Sequence, residues 1–226
     1  MDKLKTYLKH PLSFVLLILI GLASIITVAS IIFIIIYILV NGIPNLTTDL
    51  FSLHYNSKNQ SMLPSIFNTV FITFLTLLIA VPIGIFSAVY LVEYAKKGSK
   101  LVKVIRVTTE TLAGIPSIVF GLFGFLAFVI ALGWGYSMIA GVLTLVMMVL
   151  PTIIRTTEEA LLAVPNSYRE GSFGLGAGKI RTIFKIIVPT AIPGILSGVI
   201  LAIGRIVGET AALIYTSGTV AETATS

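Results

Sequence analysis

The sequence contains no cysteine and only two histidines in 226 residues. Without cysteine, disulfide bonds, thiolate metal sites and a thiol nucleophile are excluded. His10 and His54 lie far apart along the chain and have no neighbouring metal ligands, so we predict no metal site. Charged residues are also scarce, at 11% of the chain, which is less than half of their usual share in soluble domains.

Apolar residues are abundant instead, at 57% of the chain with a mean hydropathy of +1.06. An uninterrupted apolar run of about 18 or more residues is typical of a helix that crosses a bilayer, because about 20 helical residues cover the hydrocarbon core. The sequence therefore predicts an all-α, polytopic membrane helix bundle with five spans. We place these spans at approximately residues 11–40, 65–92, 108–132, 136–154 and 190–215.

The basic residues indicate how the bundle is oriented. Nearly all of the 15 Lys and Arg residues fall in the leader, in the loop before the third span and in the stretch before the fifth span. These regions share one side of the membrane if five spans alternate, and cytoplasmic loops are the ones enriched in Lys and Arg. We predict a multi-pass membrane protein with a cytoplasmic N-terminus. The net charge of +6 then needs no nucleic-acid partner.

The longest internal polar region follows the fourth span and covers residues 152–194. We predict a short helix over residues 156–164 and a basic amphipathic helix after Gly178. The glycines in GLGAGK suggest a phosphate loop, but Phe173 stands where its first glycine is required and Ile180 where Ser or Thr is required. The dinucleotide pattern fails as well, because no strand precedes the glycines. We therefore expect no nucleotide or other cofactor to bind to this chain.

The stretch EGSFGLGAGKIRTIFKIIVP, residues 170–189, resembles the cytoplasmic signature of binding-protein-dependent ABC importer permeases. That signature is Glu-Ala-Ala, three residues, Gly, nine residues, Ile, one residue and Leu-Pro. The matching positions are Glu170, Gly171, Ser172, Gly176, Ile186 and Pro189. The resemblance implies that these residues dock on a separate ATPase, which carries ATP and magnesium. A short helix in a partner's groove can transmit the partner's motion. The alternative is a plain amphipathic helix on the membrane surface.

Residues 110–125 and 189–218 are similar to the membrane subunits of the phosphate-specific ABC importer, and more similar to its A-type than to its C-type subunit. The resemblance implies a type I ABC importer permease fold, a C-type permease partner, two cytoplasmic ATPase subunits, an external phosphate-binding protein and surrounding membrane lipid. This family has six spans. We therefore interpret residues 1–61 as an N-terminal transmembrane helix with an external loop, and residues 62–226 as a permease domain truncated at its C-terminal end.

Arg205 and Glu209 lie one helical turn apart in the fifth apolar run. A charge at the bilayer centre costs about 2.5 to 3.5 kcal/mol on insertion scales, so Arg205 must face protein, water or a partner. In one interpretation the two residues form an ion pair that fixes helix packing. In the other they line the substrate path, where Arg205 attracts an oxyanion and Glu209 weakens the attraction enough for release. Two small-residue pairs that permit close helix approach lie beside this face, Gly194 with Gly198 and Gly204 with Gly208.

These patterns together predict a permease subunit of an ATP-driven phosphate importer that works by alternating access and has no enzymatic activity of its own. Two alternatives stay open. The substrate is another oxyanion, such as sulfate or molybdate, or the chain is an ATP-independent channel or carrier. The signature at residues 170–189 argues against the carrier. A membrane enzyme is disfavoured because the sequence shows no histidine cluster and no nucleophile beside a base.

Overall fold

The computed structural model describes residues 11–52, 61–96 and 98–218. All regular secondary structure in these residues is helical, so the predicted all-α fold is confirmed. The basic leader, residues 1–10, and Lys58 lie outside the described residues. The chain divides into two units, Met1–Ser61 and Met62–Ser226, which are considered separately.

The first unit contains one long helix, α1, at Pro11–Gly42. Short 3₁₀ turns follow at Ile43–Asn45 and Thr48–Phe51. The hydroxyls of Ser24 and Thr27 donate to carbonyl oxygens four residues earlier, both at 2.8 Å. The polar groups of α1 are thus satisfied within the helix, as a lipid environment requires. The helix is long and apolar enough to cross a bilayer, as predicted for the first span.

The second unit consists of eight helices within its described residues. Their bounds are α2 at Leu63–Val89, α3 at Lys100–Ala113, α4 at Ser117–Gly124, α5 at Met138–Leu162, α6 at Asn166–Gly174, α7 at Lys179–Thr182, α8 at Val188–Val207 and α9 at Ala211–Thr216. Three π-helical segments extend or join them: Tyr90–Tyr94 after α2, Phe125–Ala131 after α4 and Ile183–Ile187 between α7 and α8.

Helix α5 forms the centre of the second unit. Its most apolar stretch is 61% buried, against 28% for the corresponding stretch of α2. Glycines on two neighbouring helices lie against it: Gly84 of α2 contacts Ile153, and Gly198 of α8 contacts Thr156. Lipid tails are as apolar as these side chains, so apolar burial alone does not favour the association of helices. Close approach at small residues adds the van der Waals contact that does.

The third predicted span is not one straight helix. Helices α3 and α4 meet at an angle of 103° across residues 114–116. The cause is local, because Pro116 lacks a backbone N–H and disfavours helical geometry at the residue before it. The region that we interpreted as a loop with several basic residues is largely α3. The described residues thus contain four helices able to span a membrane, or five if the bent pair forms one span.

The polar region after the fourth span is shorter than predicted. Helix α5 continues to Leu162, so residues 156–164 do not form a separate short helix. At the other end, α7, its π-helical segment and α8 form one continuous helix over Lys179–Val207, so the amphipathic stretch is the start of the next span. Only residues 163–178 connect the two long helices, and α6 lies within this connection.

The fifth predicted span also differs from expectation, because α8 ends at Val207 and α9 begins at Ala211. Gly208, a weak helix former, follows the last helical residue. Helix α9 packs against α4 and α5, and Gly121 of α4 allows the closest approach. After the break, α9 therefore packs back against the bundle.

Replacing Gly121 with alanine is expected to lower the unfolding temperature of the purified protein in detergent. The added Cβ would lie 2.8 Å from the Cα of Ala212, so the backbone of α9 must move. Overpacking of this kind costs about 1 to 3 kcal/mol. Thermal unfolding followed by circular dichroism measures the effect. Gly21→Ala is the control, because no atom lies within 4 Å of a Cβ there. An equal unfolding temperature for both variants would contradict the α4–α9 contact.

Candidate functional site

Arg205 lies in the last turn of α8 and is half-buried. Within the part of the chain that the structure describes, its guanidinium forms no ion pair and no hydrogen bond. The Oε1 atom of Glu209 instead accepts a hydrogen bond from the backbone N–H of Ala212, at 3.1 Å. The expectation that the two residues lie one turn apart on a continuous helix is wrong, because α8 ends between them. Glu209 stabilises the start of α9, and Arg205 has no counter-ion among the residues that the structure describes.

The two small-residue pairs near Arg205 have different surroundings. Gly194 and Gly198 lie against α5, where added Cβ atoms would meet Ala160 and Thr156. A Cβ added at Gly204 would meet nothing within 4 Å, and one at Gly208 would meet only the carbonyl oxygen of Gly204, at 3.4 Å. The first pair therefore brings helices together, as predicted. The second pair leaves an open surface beside Arg205.

A separate open groove of about 630 Å³ lies between α2 and α8. Its lining is apolar apart from three hydroxyl residues of α2, namely Ser65, Thr69 and Thr73. The hydroxyls of Thr69 and Thr73 already donate to carbonyl oxygens four residues earlier. The groove contains no charged side chain, so it does not have the chemistry of an anion site.

The connection between α5 and α7 exposes part of the signature identified in the sequence. Glu170 and Gly171 are exposed on α6, and Gly176 adopts a φ of +80°, a conformation that favours glycine. Leu175, at the tip, is 91% exposed. A side chain this exposed is accessible to a partner chain.

The remaining signature residues do not share this exposed surface. Ser172 is buried, and its hydroxyl lies 2.8 Å from the hydroxyl of Thr182. Ile186 is half-buried in the π-helical segment after α7, and Pro189 is exposed at the second position of α8. Glu170, Gly171 and Gly176 are thus exposed in the connection between α5 and α7, Ser172 is buried there, and the other two residues lie within the long helix.

Arg169 connects α6 to two other helices, a role that the sequence did not reveal. Its Nε and Nη2 atoms both donate to Oε1 of Glu93, at 3.0 and 2.7 Å. Its Nη1 atom donates to the carbonyl oxygen of Val164 at 3.0 Å, and its Nη2 atom to that of Leu161 at 3.1 Å. Both side chains are mostly buried, at 17% exposed for Arg169 and 10% for Glu93.

Further ion pairs connect α3 to α5. Arg106 pairs with Glu158, which is buried, whereas Arg155 pairs with Glu110 at 3.5 Å and with Glu159 at 3.1 Å. Arg106 and Glu110 of α3 thus pair with residues of α5 and not with each other. These contacts hold α3 against the bundle at the angle that the break before α4 creates.

Long apolar helices joined by a short exposed helix are typical of a multi-pass membrane protein. Residues 80–224 match the family described as binding-protein-dependent transport system inner membrane component. The match covers more than half of the chain, so the chain belongs to this family. The prediction of a type I ABC permease of the phosphate-permease kind is confirmed at the level of the family and its fold.

Two individual relatives are similar to this chain. The chain is 38% identical over 200 residues to the probable ABC transporter permease protein YqgI of Bacillus subtilis, covering 88% of this chain and 68% of the relative. It is 45% identical over 140 residues to the phosphate transport system permease protein PstA 1 of Mycobacterium tuberculosis (strain ATCC 25618 / H37Rv), covering 62% of this chain and 45% of the relative. The chain thus spans less than half the length of that mycobacterial relative.

A solved structure shows the same fold. The inward-facing MetNI methionine ABC transporter matches with a TM-score of 0.52 at 23% sequence identity, covering 64% of this chain and 67% of the solved chain. Identity at this level supports the arrangement of helices and carries no information on substrate. The described helices are therefore arranged like those of that solved chain.

Neutralising Glu158 is expected to destabilise the bundle more than neutralising its neighbour Glu159. The side chain of Glu158 is 10% exposed and pairs with Arg106, whereas that of Glu159 is 64% exposed. Glu158→Gln removes a charge-assisted contact whose carboxylate is largely shielded from water, whereas an exposed pair contributes little. Thermal unfolding of Glu158→Gln and Glu159→Gln in the same detergent tests this order. A larger loss for Glu159→Gln would contradict it.

Proposed function

We propose that this chain is the membrane permease subunit of an ATP-driven phosphate importer and that Arg205 contributes to the phosphate path. The observation that carries the proposal is a guanidinium at the end of a membrane-spanning helix that has no counter-ion within the described part of the chain. The relative named PstA 1 supports phosphate as the substrate, whereas the name of YqgI specifies none.

Arg205 has the chemistry that an oxyanion path needs. A guanidinium is permanently charged and presents several N–H donors in a fork that matches the oxygens of phosphate. Placing such a charge inside a membrane is costly, so it requires a compensating interaction. Within the described residues no carboxylate supplies that interaction, and the glycine surface beside Arg205 leaves room for an anion or a partner chain.

Glu209 plays the second role in the proposed path. Its Oε1 atom holds α9 through Ala212, while the carboxylate charge lies a few residues along the chain from Arg205. A negative charge near the cation weakens the binding of an anion, which transport requires because the anion must also leave. A carboxylate can also accept the proton that hydrogen phosphate carries, a contact that sulfate cannot offer.

The exposed helix α6 supports coupling to a separate ATPase. Tyr168 and Phe173 are each 49% exposed on this helix, and Leu175 follows at its end. An exposed apolar surface on a short helix suits a groove on a partner. In this proposal two cytoplasmic ATPase subunits bind ATP and magnesium, and this chain binds no cofactor of its own.

The complete importer in this proposal contains further chains. A related C-type permease forms the other half of the path, and an external phosphate-binding protein delivers the substrate. The chain lies in a bacterial cell membrane among lipids, with its N-terminus in the cytoplasm, and has no role in binding nucleic acid. ATP binding moves α6, and the long helices shift so that the Arg205 region is open to one side and then to the other.

Replacing Arg205 with alanine is expected to reduce phosphate uptake by about tenfold to a hundredfold, the effect of losing a charge-assisted hydrogen bond. Arg205→Lys is expected to retain part of the activity, because an ammonium keeps the charge without the planar fork. Radiolabelled phosphate uptake into cells that express the whole importer measures the effect. Lys103→Ala, which removes an exposed cation from α3, is the control.

Glu209→Gln tests the same path without removing the hydrogen-bond acceptor for Ala212. Normal phosphate uptake by both Arg205→Ala and Glu209→Gln, with normal amounts of assembled protein, would overturn the proposed path. Uptake of sulfate or molybdate in place of phosphate by the unmodified importer would support the alternative oxyanion. Uptake by this chain without any ATPase would support an independent carrier.

Replacing Leu175 with serine is expected to reduce the amount of ATPase that co-purifies with the chain. Because Leu175 is 91% exposed, the change removes no packing within the chain itself. Leu132→Ser is the matched control, since Leu132 is 55% exposed in the link before α5. Quantitative immunoblotting of the purified complex measures the ratio of the chains. Equal ATPase recovery from both variants would contradict docking through α6.

A further inference from the structure

Helix α6 is held in place by few apolar contacts. Ser172 is its only buried residue, and in the connection over residues 163–178 the only other buried residue is Val164. A segment with so little buried apolar surface opens easily unless polar contacts fix it. The position of α6 therefore depends on two polar links, the Ser172–Thr182 hydroxyl contact and the contacts of Arg169.

The Arg169 side chain meets three different elements at once. Its own backbone belongs to α6, its Nη1 and Nη2 atoms donate to the carbonyl oxygens of Val164 and Leu161 at the end of α5, and its Nε and Nη2 atoms donate to Glu93. Carbonyls at the end of a helix lack partners within the helix, and a cation is favoured there. Asn166 adds a weaker contact, with Oδ1 at 3.4 Å from Nη1.

Glu93 reaches this cluster from the end of α2. It lies in the π-helical turn Tyr90–Tyr94, where Ala95 donates its backbone N–H to the carbonyl oxygen of Tyr90 at 2.9 Å. A π-helical turn inserts one extra residue, which changes the direction in which the following side chains point, and such turns often occur at functional positions. Here the turn precedes the non-helical residue Ala95, and Glu93 points to Arg169.

We propose that Arg169 and Glu93 are positioning residues that hold α6 to the ends of α2 and α5 as one rigid body. In the importer, a displacement of α6 by the ATPase then moves α2 directly and is not absorbed by the connection. This inference rests on the proposed function for the force that moves α6. The rigid link itself is a property of this chain and is tested without the ATPase.

The packing of the bundle does not depend on this pair. Ala88, Val89, Leu161, Ile183 and Ile187 form a buried cluster that joins the same ends of α2 and α5 to the start of the long Lys179–Val207 helix. Loss of the ion pair therefore leaves the helices in place and releases mainly α6. A single neutral variant leaves one buried charge without a partner, so the double neutral variant is needed to separate the link from that cost.

The link is tested by the mobility of a spin label at the end of α6. The chain contains no cysteine, so Leu175→Cys provides a single labelling position, and its exposure avoids disturbing the fold. The labelled full-length chain is reconstituted in lipid nanodiscs and studied by electron paramagnetic resonance. Arg169→Gln, Glu93→Gln and the double variant are compared with the unmodified pair. Leu132→Cys provides the control label, distant from α6 along the chain.

All three variants are expected to increase label mobility at position 175 and to leave it unchanged at position 132. The double variant is expected to be no more mobile than the more mobile single variant, because both changes remove the same link. Unchanged mobility at position 175 would overturn the proposal. Increased mobility at both positions would overturn it as well, since the pair would then support the whole bundle.

Coupling is measured in the complex purified with its ATPase. The ratio of phosphate transported to ATP hydrolysed is expected to fall severalfold in Arg169→Gln, because the connection then absorbs part of the displacement of α6. ATP hydrolysis itself is expected to persist. An unchanged ratio would overturn the mechanical role. If the unmodified complex transports no phosphate, the proposed function fails, and the spin-label result still decides whether the pair fixes α6.

Discussion

Close contact between small residues and the central helix α5 is the interaction on which the second unit depends. Gly84, Gly194 and Gly198 each lie so close to α5 that a Cβ added there would force a neighbouring atom to move. In lipid, apolar burial gives helices little reason to associate, so van der Waals contact at small residues must supply it. The packing of the apolar helices therefore determines where the few charged side chains lie.

The charged side chains then perform two distinct tasks. Those at one end of α5 have partners, as in Arg169 with Glu93 and Arg106 with Glu158, and they fasten short helices to the bundle. Arg205 has no carboxylate partner within the described residues. A guanidinium whose N–H groups all have partners stabilises the fold, whereas one with unpaired N–H groups can donate to a further acceptor. The same residue type thus fixes the connection in one place and remains open to an anion in another.

The spans could be predicted because length and apolar character alone decide whether a helix can cross a bilayer. Gly114 and Pro116 favour a break before α4, but its angle depends on what α3 packs against. Arg169 was not predictable from the sequence, because an arginine in a polar loop is ordinarily solvated and its partner lies 76 residues away. The Glu209 contact was missed because a continuous helix was assumed through Gly208.

The continuity of the Lys179–Val207 helix has a geometric consequence. At about 1.5 Å per residue, its 29 residues form a rod about 43 Å long. One end of this rod leaves the α6 connection and the other carries Arg205. A tilt of about 5° around the first end would displace the second by roughly 4 Å, more than the length of a hydrogen bond. A small rotation at the base is thus enough to make or break a hydrogen bond at the tip.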